Sequence, residues 1–135
     1  MKIKYSSLIS FKGFYAINLY GTMYIRKEFK DSPLRLDEYD INHEEIHSAQ
    51  ARDFCKINWI GYTIFYIFYF LFWLVELVRP PYDEAYHDIC FEKEAYIHEN
   101  NLDYLKQRTR WCWLKEKYWR NYEEPRKNKT KKYNQ

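Results

Sequence analysis

Cysteine, glycine and proline are all scarce in this chain: there are three cysteines, three glycines and four prolines among 135 residues. Cys55, Cys90 and Cys112 include no C-x-x-C pair, which excludes a disulfide framework and a zinc-ribbon pattern and leaves reduced, internal thiols as the expectation. No internal repeat and no second domain can be found. The length suits one compact unit able to bury a core, expected over residues 1–122 with a basic tail at 123–135. A large excess of one charge is missing too. The net charge is only +3, and much of it comes from "RKNKTKKYNQ" after Pro125, so no specific nucleic acid is expected as a partner. That tail reads as a solvated, disordered end, with anionic lipid or nucleic acid as alternatives. Two lysines stand early, but Lys12 interrupts the apolar N-terminal run and no cleavage site follows. A signal peptide is therefore not expected, and the expected location is cytoplasmic, with membrane association.

What the chain has in abundance is aromatic side chains: 15 Tyr, 9 Phe and 5 Trp. They concentrate in "INWIGYTIFYIFYFLFWLV", residues 57–75, a run without a single charge that is long enough to cross a bilayer and too apolar for a helix with a wet face. Its tyrosines and tryptophans fall mid-segment as well as at the ends, unlike a simple aromatic belt. Three placements fit it: a span, interfacial attachment, and a buried core helix.

Around that segment the pattern is α+β and mainly helical. "FYAINLYGTMYIRK", residues 14–27, mixes β-branched and aromatic residues around Asn18, Gly21 and Thr22 and predicts a short hairpin or bent strand. The polar "EFKDSPLRLDEYD" predicts a loop, after which Asp40 or Asn42 caps a helix. This helix is expected to end near "KINWIG", where Asn58 and Gly61 are weak helix residues. A second helix then runs to about Val78 and stops at Pro80 and Pro81, which lack the amide hydrogen a helix interior needs. Tyr82 to about Arg108 predicts a third helix, and "RTRWCWLKEKYWRNY" a fourth or a continuation.

The chemistry gathers in "NHEEIH". In a helix, His43 and His47 stand four apart on one face and can offer two imidazole nitrogens to one ion. Glu44 occupies the place of a general base acting on water activated by that ion. A catalytic zinc site has three protein ligands, and "YHDICFEKEAYIHENNLDYL" is the best supplier of the third. Glu92 is the first choice and Glu94 the alternative; two residues apart, they point to different sides of a helix. His87, Glu94 and His98 share a face and read either as a separate polar stripe or as support for the ligands. Tyr96 and Tyr86 are candidate donors to developing charge, with packing as their alternative role.

Helix lengths constrain this constellation. One unbroken helix over 42–78 would carry its end about 46 Å from His47, and Glu92 could not fold straight back to it. A break near Asn58–Gly61 solves the problem, with the helices running up, back and up again. A single span over 57–78 would also separate the histidines from Glu92 across the bilayer. Shallow insertion avoids that conflict.

The order His43-Glu44-x-x-His47, an apolar helix, then "FEKEAY" resembles the glutamate-ligand zincins, or gluzincins, and in particular a membrane-associated branch whose third ligand opens a Glu-x-x-x-Asp sequence. Glu92 matches that ligand, and Tyr96 stands where the aspartate is expected. From "FKGFYAINLYG" through "NHEEIH" and "FEKEAY" to "NNLDYLKQR", about residues 10–115, the chain is also similar to small uncharacterised proteins of Bacteroides-type bacteria. The resemblance implies a minimal zincin core: a short sheet beside the active-site helix, with the glutamate helix packed across it. It also implies that the sheet edge in 14–27 pairs with an extended peptide.

Three functions follow. The first is a zinc-dependent peptidase in which His43, His47 and Glu92 hold zinc and Glu44 is the base, with a peptide or protein as substrate. The second is a zinc-stabilised structural or regulatory protein that cleaves nothing. The third is a metal-free membrane-associated scaffold whose residues 57–78 insert while the basic tail contacts anionic headgroups.

Overall fold

The computed structural model describes residues 1–7, 16–30, 37–78, 89–115 and 118. An N-terminal sheet is followed by helices, as the α+β pattern predicts. Strands β1 (Lys2–Ser6), β2 (Ala16–Leu19) and β3 (Thr22–Arg26) form one mixed sheet in the order β1-β3-β2. The hairpin expected in 14–27 is the antiparallel pair β2–β3, in register from Ala16↔Ile25 to Leu19↔Thr22. Its two turn residues both take positive φ, Tyr20 at 50° and Gly21 at 76°, the twist that matches paired strands. Asn18 Oδ1 accepts from Gly21 N at 3.1 Å and fixes the turn.

Strand β1 was not foreseen: "KIKYS" alternates polar and apolar residues, but the stretch is short and almost wholly exposed. It pairs in parallel with β3, from Lys2↔Thr22 to Ser6↔Arg26, so β3 is central and buries Met23 and Ile25. Only β1 and β2 have an outer edge. On β2 that edge is engaged: Tyr66 Oη donates to Asn18 O at 3.2 Å, and Asn58 Nδ2 donates to Tyr20 O at 3.1 Å.

Helix α1 spans Glu38–Phe54. Its cap is Asp37, one turn earlier than either Asp40 or Asn42. Asp37 Oδ1 accepts from the amides of Tyr39 and Asp40 at 3.0 and 2.9 Å, and Asp40 Oδ2 accepts from the Asp37 amide at 3.2 Å. Asp40 thus completes a capping box instead of opening the helix. The expected break falls at Cys55–Ile57, and α2 (Asn58–Leu77) begins before Gly61. Gly61 is therefore not a breaker. A β-carbon there would lie 2.5 Å from Cys55 O and 2.6 Å from Ala51 O, so the missing side chain lets α2 press against the end of α1.

The third helix is shorter than expected: α3 covers Cys90–His98, and a single turn, α4 (Tyr104–Gln107), follows. Asn42 explains the stop. Its Nδ2 reaches the carbonyls of His98, Glu99 and Asn101 at 3.3, 2.8 and 3.2 Å, tying the end of α3 to the start of α1. No fourth long helix forms over 108–115. Arg108 turns out into an extended conformation, Trp111 takes a left-handed φ of 60°, and a 3-10 turn at Cys112–Leu114 follows. The core is an aromatic cluster of Tyr62, Phe65, Phe91, Tyr104, Trp113 and Tyr118 around Ile46 and Ala51. Pro80 and Pro81, Tyr86, His87, the start of the expected third helix and the tail lie outside the described residues.

Candidate metal centre

Helix α1 delivers His43 and His47 one turn apart, and α3 delivers Glu92 from its first turn. His43 Nε2 and His47 Nε2 lie 3.1 Å apart. Glu92 Oε1 is 3.1 Å from His47 Nε2, and Oε2 is 3.4 Å from His43 Nε2. The three side chains are shielded, at 12% and 10% exposure for the histidines and 1% for the glutamate.

The far nitrogen of each ring has its own acceptor. His43 Nδ1 lies 3.1 Å from Glu99 Oε2, and His47 Nδ1 lies 2.8 Å from Gln50 Oε1. The amide of Gln50 has one possible orientation, because its Nε2 faces two acceptors, Phe91 O at 3.0 Å and Glu94 Oε2 at 3.1 Å. A carboxylate and an amide oxygen only accept here, so both Nδ1 atoms carry hydrogen. Neutral rings would then direct two Nε2 lone pairs and a carboxylate at one point. Such a convergence of lone pairs within hydrogen-bond distance is repulsive unless a cation sits among them.

Two observations of this structure test whether a metal fits that demand. Glu92 Oε2 is fully enclosed and has no hydrogen bond, whereas Oε1 accepts from Tyr69 Oη at 2.7 Å. The donor set, two imidazoles and a carboxylate within 4.8 Å of one another, is one that divalent metals such as zinc take. The cluster is compatible with a divalent metal ion. Without one, protons supply the positive charge. Burial opposes it, but the Glu92 and Glu99 carboxylates win and push His43 up to about 10. His47 is likewise raised against burial by Glu92, and the two imidazoles hold the Glu92 carboxyl well below its usual range despite burial.

The other residues singled out in the sequence fall elsewhere. Glu94 turns away from the histidines into a buried ion-pair network: Arg108 Nε donates to Glu94 Oε1 at 2.6 Å, and Arg108 Nη2 donates to Asp53 Oδ2 at 2.7 Å. It reaches the centre only through Gln50. His98 stacks on Tyr104 with ring centres 3.7 Å apart and meets Tyr118 Oη at 2.9 Å, and it is not one of the clustered ligands. Tyr96, which stands where the zincin likeness expects an aspartate, lies against the His43 ring, centre to centre 4.7 Å, and the carboxylate that meets His43 Nδ1 is that of Glu99. Glu44 sits between the histidines in sequence, and its charge raises both of their pKa values. Its backbone is held by Asn18 and Ser48.

Sequence reading missed Glu99, Gln50 and Tyr69. Glu99 follows Glu92 by two helical turns, a spacing that places both on one face, and Gln50 follows His47 by one. Tyr69 carries no such signal among so many tyrosines. Comparison with family models, curated proteins and solved structures finds no significant match. The likeness to zincins therefore rests on the His43–His47–Glu92 cluster.

Proposed function

We propose that this chain is a zinc-dependent hydrolase of peptide bonds, with His43, His47 and Glu92 as the metal ligands and Glu44 as general base. The observation that carries this reading is the pair of imidazoles whose Nδ1 atoms face Glu99 and Gln50 oxygens while their Nε2 atoms face Glu92, whose Oε2 has no hydrogen bond. When bound, zinc would supply Lewis acidity, polarising a carbonyl and making water acidic enough to lose a proton near neutral pH. Glu44 takes that proton on its carboxylate and returns it to the leaving amine. Glu99 and Gln50 keep both imidazoles in the tautomer that leaves Nε2 open. Tyr69 donates to Glu92 Oε1 and holds the carboxylate against rotation. The gluzincin likeness supports peptide as the substrate class.

A second reading, zinc as a structural tie with no turnover, is favoured by the burial of the ligands, since a catalytic site must admit a substrate. One set of measurements separates the two. Metal content by elemental mass spectrometry should give about one zinc per chain, largely lost in His47→Ala. Glu44→Gln should retain the zinc and abolish cleavage of a peptide library. Stoichiometric zinc with no cleavage by the unaltered chain would leave the structural tie; no zinc in either protein would end both readings.

A further inference from the structure

Helix α2 has two unlike halves. At 100° per residue, Gly61, Tyr62, Phe65 and Tyr69 fall on one side, and these are the positions that meet α1 and Glu92. Trp59, Ile67, Phe70, Leu71, Val75 and Val78 fall on the other, and all of them are exposed, Trp59 at 67%, Phe70 at 53% and Val78 at 77%. Among the exposed positions of that half Thr63 is the one polar residue, and there is no charge. The arc covers about half the helix circumference, wider than the narrow seam along which two helices pair. A half-cylinder of apolar side chains suits a fluid apolar phase, not one rigid partner.

We propose that α2 seats this protein on a lipid bilayer, lying in the plane of the surface with its outer half among the upper acyl chains. The helix is long and apolar enough to cross, but its inner half excludes a crossing. Halfway along it, Phe65 and Tyr69 contact His47 and Glu92, so α1 from before α2 and α3 from after it lie on the same side. A span would carry that cluster and the Arg108–Asp53–Glu94 network to hydrocarbon depth. Lying flat, the helix keeps them in water or protein. Charge agrees with this placement: Lys56, exposed, precedes the exposed Trp59 by three residues at the N-terminal end of the apolar half, the order in which a cation meets headgroups and an indole the interface. The metal centre then lies about one helix diameter, ~10 Å, from the bilayer surface, and a membrane-proximal peptide is the substrate within reach. The seating needs no metal in the cluster, so it stands or falls apart from the zinc reading.

Vesicle sedimentation of the full chain tests it, using phosphatidylcholine vesicles with and without phosphatidylglycerol. The chain is expected to partition onto both, and more strongly onto the anionic ones, with Lys56→Gln reducing that preference about fivefold. Phe70→Glu and Leu74→Glu alter exposed side chains and should each lower partitioning at least tenfold, with unchanged helicity and zinc content. Three outcomes overturn the proposal: a chain that stays in solution with both vesicle types, variants that bind as the unaltered chain does, or a lipid-free dimer that Phe70→Glu dissociates, which would make a second copy the occupant.

Discussion

A single side chain, Glu99, decides how His43 presents itself. Its carboxylate accepts from His43 Nδ1 at 3.1 Å, which leaves Nε2 open toward Glu92 and raises the basicity of the ring. Partners of this kind are worth 10–100-fold in metal affinity. Glu99→Ala is therefore expected to weaken zinc binding by about that factor, and Glu99→Gln by less, because an amide oxygen still accepts the hydrogen. Chelator competition reads the affinity, and a melting curve taken without metal separates it from stability. Equal affinities in all three proteins would remove Glu99 from the site. The position could be found in the sequence only by asking which acceptor stands two turns beyond Glu92; the resemblance pointed one turn earlier, to Tyr96, where an aromatic ring packs on His43 instead.

Among the elements, α1 and α2 meet backbone to backbone at Gly61. Cys55 O and Ala51 O belong to backbone that cannot swing aside, so a methyl group at 2.5 and 2.6 Å forces the helices apart. Gly61→Ala should cost about 1–3 kcal/mol despite the better helix propensity of alanine, measured by urea denaturation; a neutral or stabilising result would mean that the helix pair adjusts freely. This glycine also shows where sequence reading reaches its limit. Local spacing carries local chemistry, so the α+β pattern, the hairpin, α2 and the histidine pair were legible from 3.6- and 2-residue periods. What a residue does across elements is not local. Gly61 looks like a break until α1 is beside it. Asn42 looks like a cap until the carbonyls of His98, Glu99 and Asn101 arrive. Strand β1 is a short alternating stretch whose partner in β3 lies twenty residues on, so nothing local says what it pairs with. Glu94 was the alternative ligand to Glu92, and only the placement of Arg108, itself paired with Asp53, beside it shows what it binds.

For the molecule as a whole, the cluster joins the first helix to the third, so whatever cation fills it contributes to folding. In the metal-free protein that cation is the proton. Burial opposes the charge on His43, but Glu92 and Glu99 outweigh it and raise its pKa from 6.5 to about 10. A raised folded value means stabilisation that is complete below pH 6.5 and lost as the pH rises through about 10. Glu92 runs the other way: held well below 4.5, it stabilises above that value and loses the effect as the pH falls. Metal-free protein should therefore be most stable between about pH 4.5 and 6.5. Zinc bound as proposed would displace those protons, so its own stabilisation would grow as the pH rises. At free zinc near 100 times Kd it amounts to about 2.7 kcal/mol, roughly 8–10 °C in Tm for a chain of this size. The difference in Tm with zinc and with a chelator should thus be larger at about pH 8 than at about pH 5.5, while His47→Ala shows little difference at either. A gap that narrows with rising pH would mean that zinc and protons do not compete for the same two imidazoles.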